Sequence, residues 1–589
     1  MTWQGWLTLL VVCLTVAALA RDFMSPAAAV LGADILLMVT GIITPAQAFA
    51  GFSNAAPITV AALFVLARAM EKTGAMQPVL TKVLGYGNGT RGSLLRLLTP
   101  VAGASAFLNN TPIVAMLAPQ VADWAEKRGK SASLFLMPLS FATILGGVLT
   151  LIGTSTNLLV SGLMESQGMA PIGMFELTRI GLPVAVIGLL LIVVMTPIVL
   201  PERRTARQQF EEEAREFVCK ATIAPRGPLD GQTVESAGLR GLQGVFLAEI
   251  EREGHVIAPV SPTTVLRGGD WLTFAGRVDT VRDLTNMRGL VPEHHEHSLS
   301  MNGGDHTFYE AVVSGASPIR GQTLKEVNFR SRYQAAVLAI HRAGQRVNAK
   351  LGSVRLAEGD TLLLLADAAF KNRWADRNDF LLIAHLGGHP PTRPKQALIA
   401  SLVTLFIVVV AGSGLLPILH AALIGGIVLV ALKVLSAAEA RAAIDLDVLL
   451  VIAASFGIGA AIEGSGLAAL LGQSMVQGLD RFGPQVVLLA VTLATVALTE
   501  LITNNAAAAL LFPIGIATAG AMGVDPRPFA IAIAVAASMS FLTPIGYQTN
   551  TMVYGLGGYR FGDYIRLGAP LTVISVIAIW IFVPLFWSF

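Results

Sequence analysis

Cysteine is nearly absent from this 589-residue chain, which contains only Cys13, in an apolar run, and Cys219, in a polar segment. Two cysteines in such different surroundings predict neither a disulfide framework nor a metal site. Charged residues are also scarce, at 13% against 54% for hydrophobic residues, and the net charge is only +3. This composition excludes an ordinary soluble protein, and it gives no indication that nucleic acid is a partner.

The apolar regions also lack the residue patterns of an enzyme. They contain no nucleophile beside a base and no metal-ligand spacing, so neither catalysis nor a bound cofactor is expected. Runs of about 20 apolar residues, the length that crosses about 30 Å of hydrocarbon, recur at both ends of the chain instead. The sequence therefore predicts a polytopic α-helical protein in the lipid bilayer of the cell (inner) membrane.

Polarity divides the chain into four predicted domains. A membrane repeat at 1–200 and another at 391–589 enclose two small modules at 201–300 and 301–390. The predicted spans are 5–20, 27–45, 54–70, 73–87, 133–152, 180–200, 396–413, 417–435, 446–464, 527–545 and 567–586. Six spans before the insert and five after it, with basic residues flanking the insert, predict that the modules and the N-terminus are cytoplasmic.

The polar block is itself a tandem repeat. Residues 231–250 resemble residues 321–340, and each copy closes with a Gly-Asp pair before an apolar strand, at 269–270 and 359–360. Short strand-like runs bounded by glycine turns predict two α+β modules. Between them lie His294, His295, His297 and His306, for which a solvated linker is the default interpretation and a metal site the alternative.

One motif occurs twice in apolar surroundings. Residues 153–163 and 546–556 share Gly, Thr, Asn, Val, Gly and Leu at matching positions. An asparagine pair precedes each copy, Asn109-Asn110 and Asn504-Asn505, and the motif asparagine follows the second member by 47 and 45 residues. Each pair is interpreted as the tip of a re-entrant hairpin, with a single crossing helix as the alternative. Duplicated polar breaks inside hydrophobic halves point to a transport site between two repeats.

The chemistry expected of such breaks suits ions. A broken helix exposes carbonyl groups that favour a cation and amide groups that favour an anion. No basic residue occurs in 97–122, 133–163 or 483–524, so an anion there would be held by helix ends, amides, hydroxyls and bound cations. A lone Asn or Thr usually only joins membrane helices by hydrogen bonds; four polar elements in matching order favour a site.

Three carboxylates lie within or at the ends of the apolar segments. Glu71 and Glu463 occupy matching places near helix ends, which favours a structural role. Glu500 lies one helical turn from Asn504, and both a direct role and a structural one remain open for it.

These motifs resemble the divalent anion:sodium symporter family of the solute carrier 13 type, and the modules resemble TrkA C-terminal domains. The resemblance implies a homodimeric elevator transporter with two inverted repeats, each containing a re-entrant hairpin and an unwound helix. Family members place Ser-Asn-Thr at both tips, whereas this chain has Asn109-Asn110-Thr111 and Asn504-Asn505-Ala506. No Gly-x-Gly-x-x-Gly occurs in 201–395, so the modules are expected to bind at most an unidentified small ligand.

The motifs and the resemblance together predict two ligand sets. The predicted Na⁺ ligands are Asn109, Asn110, Gly153, Asn157, Asn504, Asn505, Gly546 and Asn550. The predicted ligands of the substrate anion are Asn110, Thr111, Thr154, Ser155, Asn505, Thr543 and Pro544. Because Thr111 is matched by Ala506 and Ser155 by Gln548, substrate identity is expected to depend on where the halves differ.

The function predicted first is sodium-coupled symport of a small inorganic or organic divalent anion, sulfate or a dicarboxylate. The alternatives are an exporter of an oxyanion such as arsenite, a proton-coupled anion exchanger, and a ligand-gated channel or sensor.

Overall fold

A computed structural model gives the fold of most of the chain. It describes residues 2–21, 23–75, 89–203, 218–239, 245–253, 255–257, 260–276, 287, 289–293, 306–315, 317–342, 345–347, 349, 351–367, 370–374, 377, 379–385 and 394–589. His294, His295 and His297 lie outside the described residues, as does most of the predicted span 73–87, so those two predictions remain untested.

The chain forms two compact units. One contains Met1–Glu202, His389–Tyr554 and Tyr559–Phe589, and the other contains Arg203–Gly388 with Gly555–Gly558. The first unit is helical, and six of its described helices are long and apolar enough to cross a membrane. The chain is therefore a multi-pass membrane protein.

Residues that commonly cap helices mark where the helices before the insert begin and end. Asn54 caps one helix by accepting a hydrogen bond from the Ala56 amide, and Gly74 ends that helix in the left-handed region. The helices are α1 (Trp3–Ala20), α2 (Pro26–Val39), α3 (Pro45–Ala48), α4 (Ala55–Thr73), α5 (Thr90–Ser105), α6 (Asn110–Lys127), α7 (Ser133–Gly147), α8 (Ser155–Ser166) and α9 (Thr178–Val199).

The helices after the insert follow the same order. They are α12 (Pro394–Gly412), α13 (Ile418–Ala431), α14 (Ala437–Ala442), α15 (Leu446–Gly464), α16 (Leu467–Leu479), α17 (Pro484–Thr499), α18 (Asn504–Met522), α19 (Arg527–Ala537), α20 (Gln548–Leu556) and α21 (Phe561–Phe586). Helices α17 to α21 correspond one by one to α5 to α9, so the structure repeats the elements that surround both motifs.

Two predicted spans are shorter than expected. The span predicted at 133–152 ends at Gly147, and the span predicted at 527–545 ends at Ala537. In each case an irregular segment separates the helix from a short second helix that begins at Ser155 or Gln548. The polar residues and glycines of these segments stop the helix while their hydrophobic neighbours continue the apolar pattern. Hydrophobicity alone therefore extended both predictions too far.

The second unit contains two five-stranded antiparallel sheets. The first sheet is built from β1 (Val218–Ile223), β2 (Val245–Arg252), β3 (His255–Ile257), β4 (Trp271–Gly276) and β5 (Leu290–Glu293). The second is built from β6 (His306–Val313), β7 (Ala335–Arg342), β8 (Gln345–Arg346), β9 (Thr361–Asp367) and β10 (Phe380–His385), with short helices α10 (Phe329–Tyr333) and α11 (Phe370–Trp374).

Both sheets have the same topology. Their strand orders are β3-β2-β4-β1-β5 and β8-β7-β9-β6-β10 when read in the same direction. Each also contains an ion pair at matching positions: Arg252 binds Asp270, and Arg342 binds Asp360, at 2.7 Å. Both aspartates are buried and each follows the repeated glycine. Strand order and ion pairs therefore agree with the internal repeat that was found in the sequence.

One buried histidine of the second sheet should make the folding stability of the insert depend on pH. His341 is 3% exposed, and neither ring nitrogen has a hydrogen-bond partner within the described residues. Burial lowers its pKa to about 4, below the 6.5 of an exposed histidine. Between pH 4 and pH 6.5, this imidazole is protonated in the unfolded chain but neutral in the folded chain. Stability is therefore constant above pH 6.5 and is lost as the pH falls toward 4.

We expect the insert to lose about 2 kcal/mol between pH 7 and pH 5 from this residue. Calorimetric unfolding of the full-length protein at both pH values measures the loss. His341→Leu should reduce the difference, whereas His255→Leu, at an exposed position of β3, should retain it. An unchanged pH dependence in His341→Leu would contradict the assignment.

Candidate functional site

The first tip is the turn between α5 and α6, residues 106–111. Asn109 is the N-cap of α6 and is half-buried, and Asn110 begins the helix and is 1% exposed. The hydroxyl of Ser105 donates to Asn110 Oδ1 at 2.6 Å and lies 2.9 Å from the Thr143 carbonyl oxygen. Ser105 thus joins the tip to α7.

The second tip is the turn between α17 and α18, residues 500–505, and it has the same construction. The hydroxyl of Thr499 donates to the Ala537 carbonyl at 2.6 Å and lies 3.1 Å from Asn504 Oδ1. Thr503 is the N-cap of α18, and Asn504 is its first residue. Each tip is therefore held by a hydroxyl five residues before a helix-starting asparagine.

This geometry corrects the alignment of the two tips. The sequence spacing had matched Asn110 with Asn505, but the shared contacts match Asn110 with Asn504. Thr111 then corresponds to Asn505 rather than to Ala506, and the second tip begins with the hydroxyl-bearing Thr503. Two adjacent asparagines are interchangeable in a sequence pattern, and only the helix start distinguishes them.

The two breaks are held by the motif asparagines. We define the first break as residues 148–154 and the second as residues 538–547. Asn157 Nδ2 donates to the carbonyls of Gly147 and Thr150, at 3.2 and 2.9 Å. Asn550 makes equivalent bonds across the second break. Its Nδ2 lies 2.9 Å from the Ser540 carbonyl and 3.3 Å from the Thr543 carbonyl. Both motif asparagines therefore satisfy carbonyl groups that the interrupted helix leaves free.

The motif glycines permit close packing within each break. A Cβ atom on Gly153 would lie 2.4 Å from the Gly147 carbonyl oxygen, and one on Gly546 would lie 2.1 Å from Ser540 Oγ. Gly147 itself lies against the Asn110 side chain, where a Cβ would be 2.8 Å from Oδ1. Any larger residue at these positions would push the break away from its tip.

Each tip contacts the beginning of the helix that follows the break of the other half. Thr111 Oγ1 donates to Gln548 Oε1 at 3.2 Å. Asn505 Nδ2 donates to Ser155 Oγ at 3.2 Å, and Asn505 Oδ1 lies 3.1 Å from Thr156 Oγ1. Because Thr111 corresponds to Asn505 and Gln548 to Ser155, these two contacts are equivalent. The four polar elements thus converge in one place, as the repeated motif predicted.

Tyr547 is a central residue that the sequence prediction did not include. Asn110 Nδ2 donates to its hydroxyl at 2.6 Å, and Thr154 Oγ1 lies 3.3 Å from the same oxygen. Tyr547 occupies the motif position of Thr154, so the mismatch between the two motif copies was the available signal. Ser140 was also missed: its hydroxyl contacts Asn550 Oδ1 at 2.7 Å.

Two buried oxygens at the site have no hydrogen-bond partner within the described part of the chain. They are Asn157 Oδ1 in the first half and Thr503 Oγ1 in the second. The Asn550 oxygen, by contrast, accepts the bond from Ser140. Buried polar atoms are usually satisfied, so these oxygens are candidates to contact a bound ion.

Two predicted anion ligands are engaged elsewhere. The Thr543 hydroxyl donates to Glu500 Oε2 at 2.9 Å, and the Pro544 carbonyl accepts a bond from Thr551 at 2.8 Å. In this conformation neither is free to receive an anion. The side chains that surround the junction of tips and breaks instead come from Asn110, Thr111, Thr154, Ser155, Asn505, Tyr547 and Gln548. None of these seven is basic.

Glu500 fixes the second break. Its carboxylate accepts bonds from the amides of Phe541, Leu542 and Thr543 at 2.7, 2.8 and 3.0 Å, and from the Ser540 hydroxyl at 3.2 Å. A carboxylate that accepts several backbone amides is well stabilised. The contacts favour the structural role that the sequence left open for this residue.

The first half has no counterpart of this carboxylate. Thr150 Oγ1 donates to the Ala106 carbonyl, and Thr543 Oγ1 correspondingly lies 3.3 Å from the Glu500 carbonyl oxygen. This equivalence places Ala106 where the second half has Glu500. The other two carboxylates make peripheral contacts: Glu71 pairs with Arg68 and Glu463 accepts from Gln167.

Apolar helices enclosing a polar site built from two related halves define a membrane transport protein. The chain belongs to the citrate transporter family CitMHS, whose sequence profile matches residues 9–536. This result confirms, at the level of the superfamily, the resemblance to divalent anion:sodium symporters.

Curated relatives are similar over nearly the whole chain. An uncharacterized transporter of Synechocystis sp. is 36% identical over 92% of this chain and 91% of its own. A putative sulfur deprivation response regulator of Chlamydomonas reinhardtii is 36% identical over 92% of this chain and 95% of its own. Sodium/sulfate cotransporter 2 of the same alga is 26% identical over 97% of this chain and 88% of its own. The family description and the names of the Synechocystis protein and of the cotransporter describe transporters, not enzymes.

The contacts of Glu500 predict the effect of its neutral analogue. Glu500→Gln keeps one acceptor oxygen but turns an NH₂ group toward backbone donors. We expect a loss of about 1–3 kcal/mol, seen as a lower thermal unfolding midpoint in detergent. Glu463→Gln is the matched control and should unfold like the unmodified protein, because its carboxylate is exposed. Equal midpoints for both variants would show that Glu500 does not hold the second break.

Proposed function

We propose that this protein is a sodium-coupled symporter of a small divalent anion, and that sulfate is the anion. The observation that carries the proposal is the reciprocal contact of each tip with the start of the helix after the opposite break, Thr111 with Gln548 and Asn505 with Ser155. A substrate placed at this junction touches both halves at once. Movement of either half then changes its access to water, as alternating access requires.

The absence of basic side chains among the seven residues of the junction supports cation coupling. A divalent anion in a neutral, partly buried pocket needs compensating charge. Bound Na⁺ supplies that charge if cations load first. The oxygen-rich surroundings of both motif asparagines suit Na⁺, and the unpartnered oxygens of Asn157 and Thr503 would complete one site in each half.

The proposed ligand sets follow from these positions. Asn109, Asn110, Gly153 and Asn157 surround the first cation, and Thr503, Asn504, Gly546 and Asn550 surround the second. The anion is bound by Thr111, Thr154, Ser155, Asn505, Tyr547 and Gln548. Asn505 moves from the cation set to the anion set because it corresponds to Thr111.

Sulfate is favoured over a larger acid by the dimensions of the junction. Side chains from opposite halves touch directly, with Asn505 and Ser155 at 3.2 Å and Thr111 and Gln548 also at 3.2 Å. A compact oxyanion requires less separation of these pairs than a dicarboxylate. The similarity to proteins named sodium/sulfate cotransporters points the same way, whereas the family name keeps citrate as an outcome of the test.

The proposed orientation uses five crossings among the described helices of each half. Helix α16 is excluded because it exposes Gln473, Ser474 and Gln477, which suits the membrane surface. Helix α13, of similar length, exposes Leu423 and Ile427 and suits lipid. The crossings are α1, α2, α4, α7 with α8, and α9, then α12, α13, α15, α19 with α20, and α21.

An odd number of crossings inverts the second half relative to the first, as an elevator with inverted repeats requires. With the basic flanks of the insert in the cytoplasm, the N-terminus then lies outside the inner membrane, not inside as the span count had predicted. We further propose that the protein is a homodimer and that the two modules are TrkA C-terminal-type domains with a small-ligand or regulatory role.

Transport in proteoliposomes tests the function. We expect labelled sulfate to accumulate when a sodium gradient is imposed, and not with potassium in its place. Succinate and citrate should compete weakly. Sodium-dependent uptake of citrate or succinate without uptake of sulfate would overturn the substrate, and uptake driven equally by potassium would overturn the coupling ion.

The position of Asn505 allows a sharper test of the site. Asn505→Ala removes side-chain atoms from the anion junction while leaving Asn504 to start the helix. We expect the KM for sulfate to rise by about five- to tenfold, the effect of losing one hydrogen bond of about 1 kcal/mol or slightly more. Gln473→Ala, on the exposed face of α16, is the control. An unchanged KM in Asn505→Ala would remove this residue from the anion set.

A further inference from the structure

A buried carboxyl lies away from the tips and breaks, on α2. Asp34 is 0% exposed, and neither of its side-chain oxygens has a hydrogen-bond partner within the described residues. Helix α2 packs against α15 at this point. A Cβ atom on Gly457 of α15 would lie 1.8 Å from Asp34 Oδ1. The carboxyl therefore occupies space that exists only because residue 457 is glycine.

No charge on the neighbouring elements neutralises this carboxyl. Helices α1, α3 and α15 pack on α2, and none of the four contains a lysine, arginine or histidine. The other charged residues on these helices are acidic and lie toward the ends of α15. They are Asp447 and Glu463, with Asp445 as the N-cap. Cys13 of α1 is exposed. Every charged residue on the elements packed against α2 would thus repel an ionised Asp34.

An ionised and unpartnered carboxylate is strongly unfavourable inside a membrane protein. A charged residue at the centre of a membrane helix is costly, and its desolvation without a partner adds to that cost. A sodium ion would need several further oxygen ligands, whereas a proton needs only the carboxyl itself. We propose that Asp34 is a proton-binding site, occupied in the conformation described above.

The position of Asp34 connects this proton to the conformation of the transporter. Helix α15 packs against α2 on one side and against α18 on another, and α18 begins at Asn504 of the second tip. Loss of the proton creates a charge at the contact of α2 with α15 and favours any conformation in which water reaches it. Deprotonation of Asp34 therefore weakens the conformation described here and slows the cycle at alkaline pH. This second step rests on the proposed transport function, but the protonation does not.

Infrared spectroscopy of the full-length protein tests the protonation directly. At pH 7 we expect the carbonyl stretch of a protonated carboxyl, sensitive to exchange into D₂O, to disappear in Asp34→Asn. It should remain in Asp123→Asn, whose half-buried carboxylate pairs with Lys127 at 2.7 Å. Absence of a difference band between the unmodified protein and Asp34→Asn would overturn the proposal. So would removal of the band by added Na⁺ at constant pH, since that outcome identifies a cation site.

Uptake measured as a function of pH tests the connection to transport. In the unmodified protein, sodium-driven uptake should fall by up to about tenfold per pH unit above the pH at which the infrared band is lost, as expected for one essential proton. Asp34→Asn imitates the protonated form and should transport without this fall. An identical alkaline fall in Asp34→Asn would overturn the coupling. Failure of sulfate uptake in every variant would instead overturn the proposed function and leave the infrared result standing.

Discussion

The structure depends on satisfying the backbone groups of two helices that stop inside a hydrophobic protein. Where α7 and α19 end, carbonyl and amide groups lose their intrahelical partners, and no water is available in hydrocarbon to replace them. Asn157 and Asn550 provide part of the solution, because each side-chain amide donates to two carbonyls of the break before it. The polar site exists because these breaks are stable, and their stability is supplied mostly by neutral amides and hydroxyls.

The two halves differ in how the remaining polar groups of their breaks are hydrogen-bonded. Glu500 satisfies three amides of the second break with a charge, whereas Ala106 leaves the first break without one. Ser140 satisfies the oxygen of Asn550, whereas the oxygen of Asn157 has no partner within the described residues. In the proposed mechanism the second cation site is therefore the more rigid and the more negative of the two. A repeated fold has thus produced two sites of unequal character.

The sequence predicted the parts of the site that depend on residue identity. The motif asparagines, the motif glycines and the convergence of four polar elements could be inferred from the repeat. The register of the tips could not, because Asn504 and Asn505 look alike until a helix start and the Thr499 contact separate them. Tyr547 was missed for a similar reason, since an aromatic residue among apolar neighbours gives no sign that its hydroxyl meets Asn110.

Helix α16 shows a second limit of predicting membrane-spanning helices from hydrophobicity. Its thirteen residues are too short and too mixed to be predicted as a span, and it was left out of the count. Its exposed glutamines explain that mixture, because they suit a helix at the membrane surface rather than one across the bilayer.

The corrected register also changes what the site can discriminate. With Thr111 opposite Gln548 and Asn505 opposite Ser155, each side of the junction combines one hydroxyl with one carboxamide. Thr154 and Tyr547, by contrast, are equivalent in position and different in size, and their hydroxyl oxygens lie 3.3 Å apart. The two halves otherwise contribute the same kinds of polar group to the pocket, and the larger side chain of Tyr547 makes the pocket asymmetric. In the proposed site we expect the anion to lie nearer the first half, where the side chains are smaller, and we expect selectivity between compact and extended anions to depend chiefly on the Tyr547 ring.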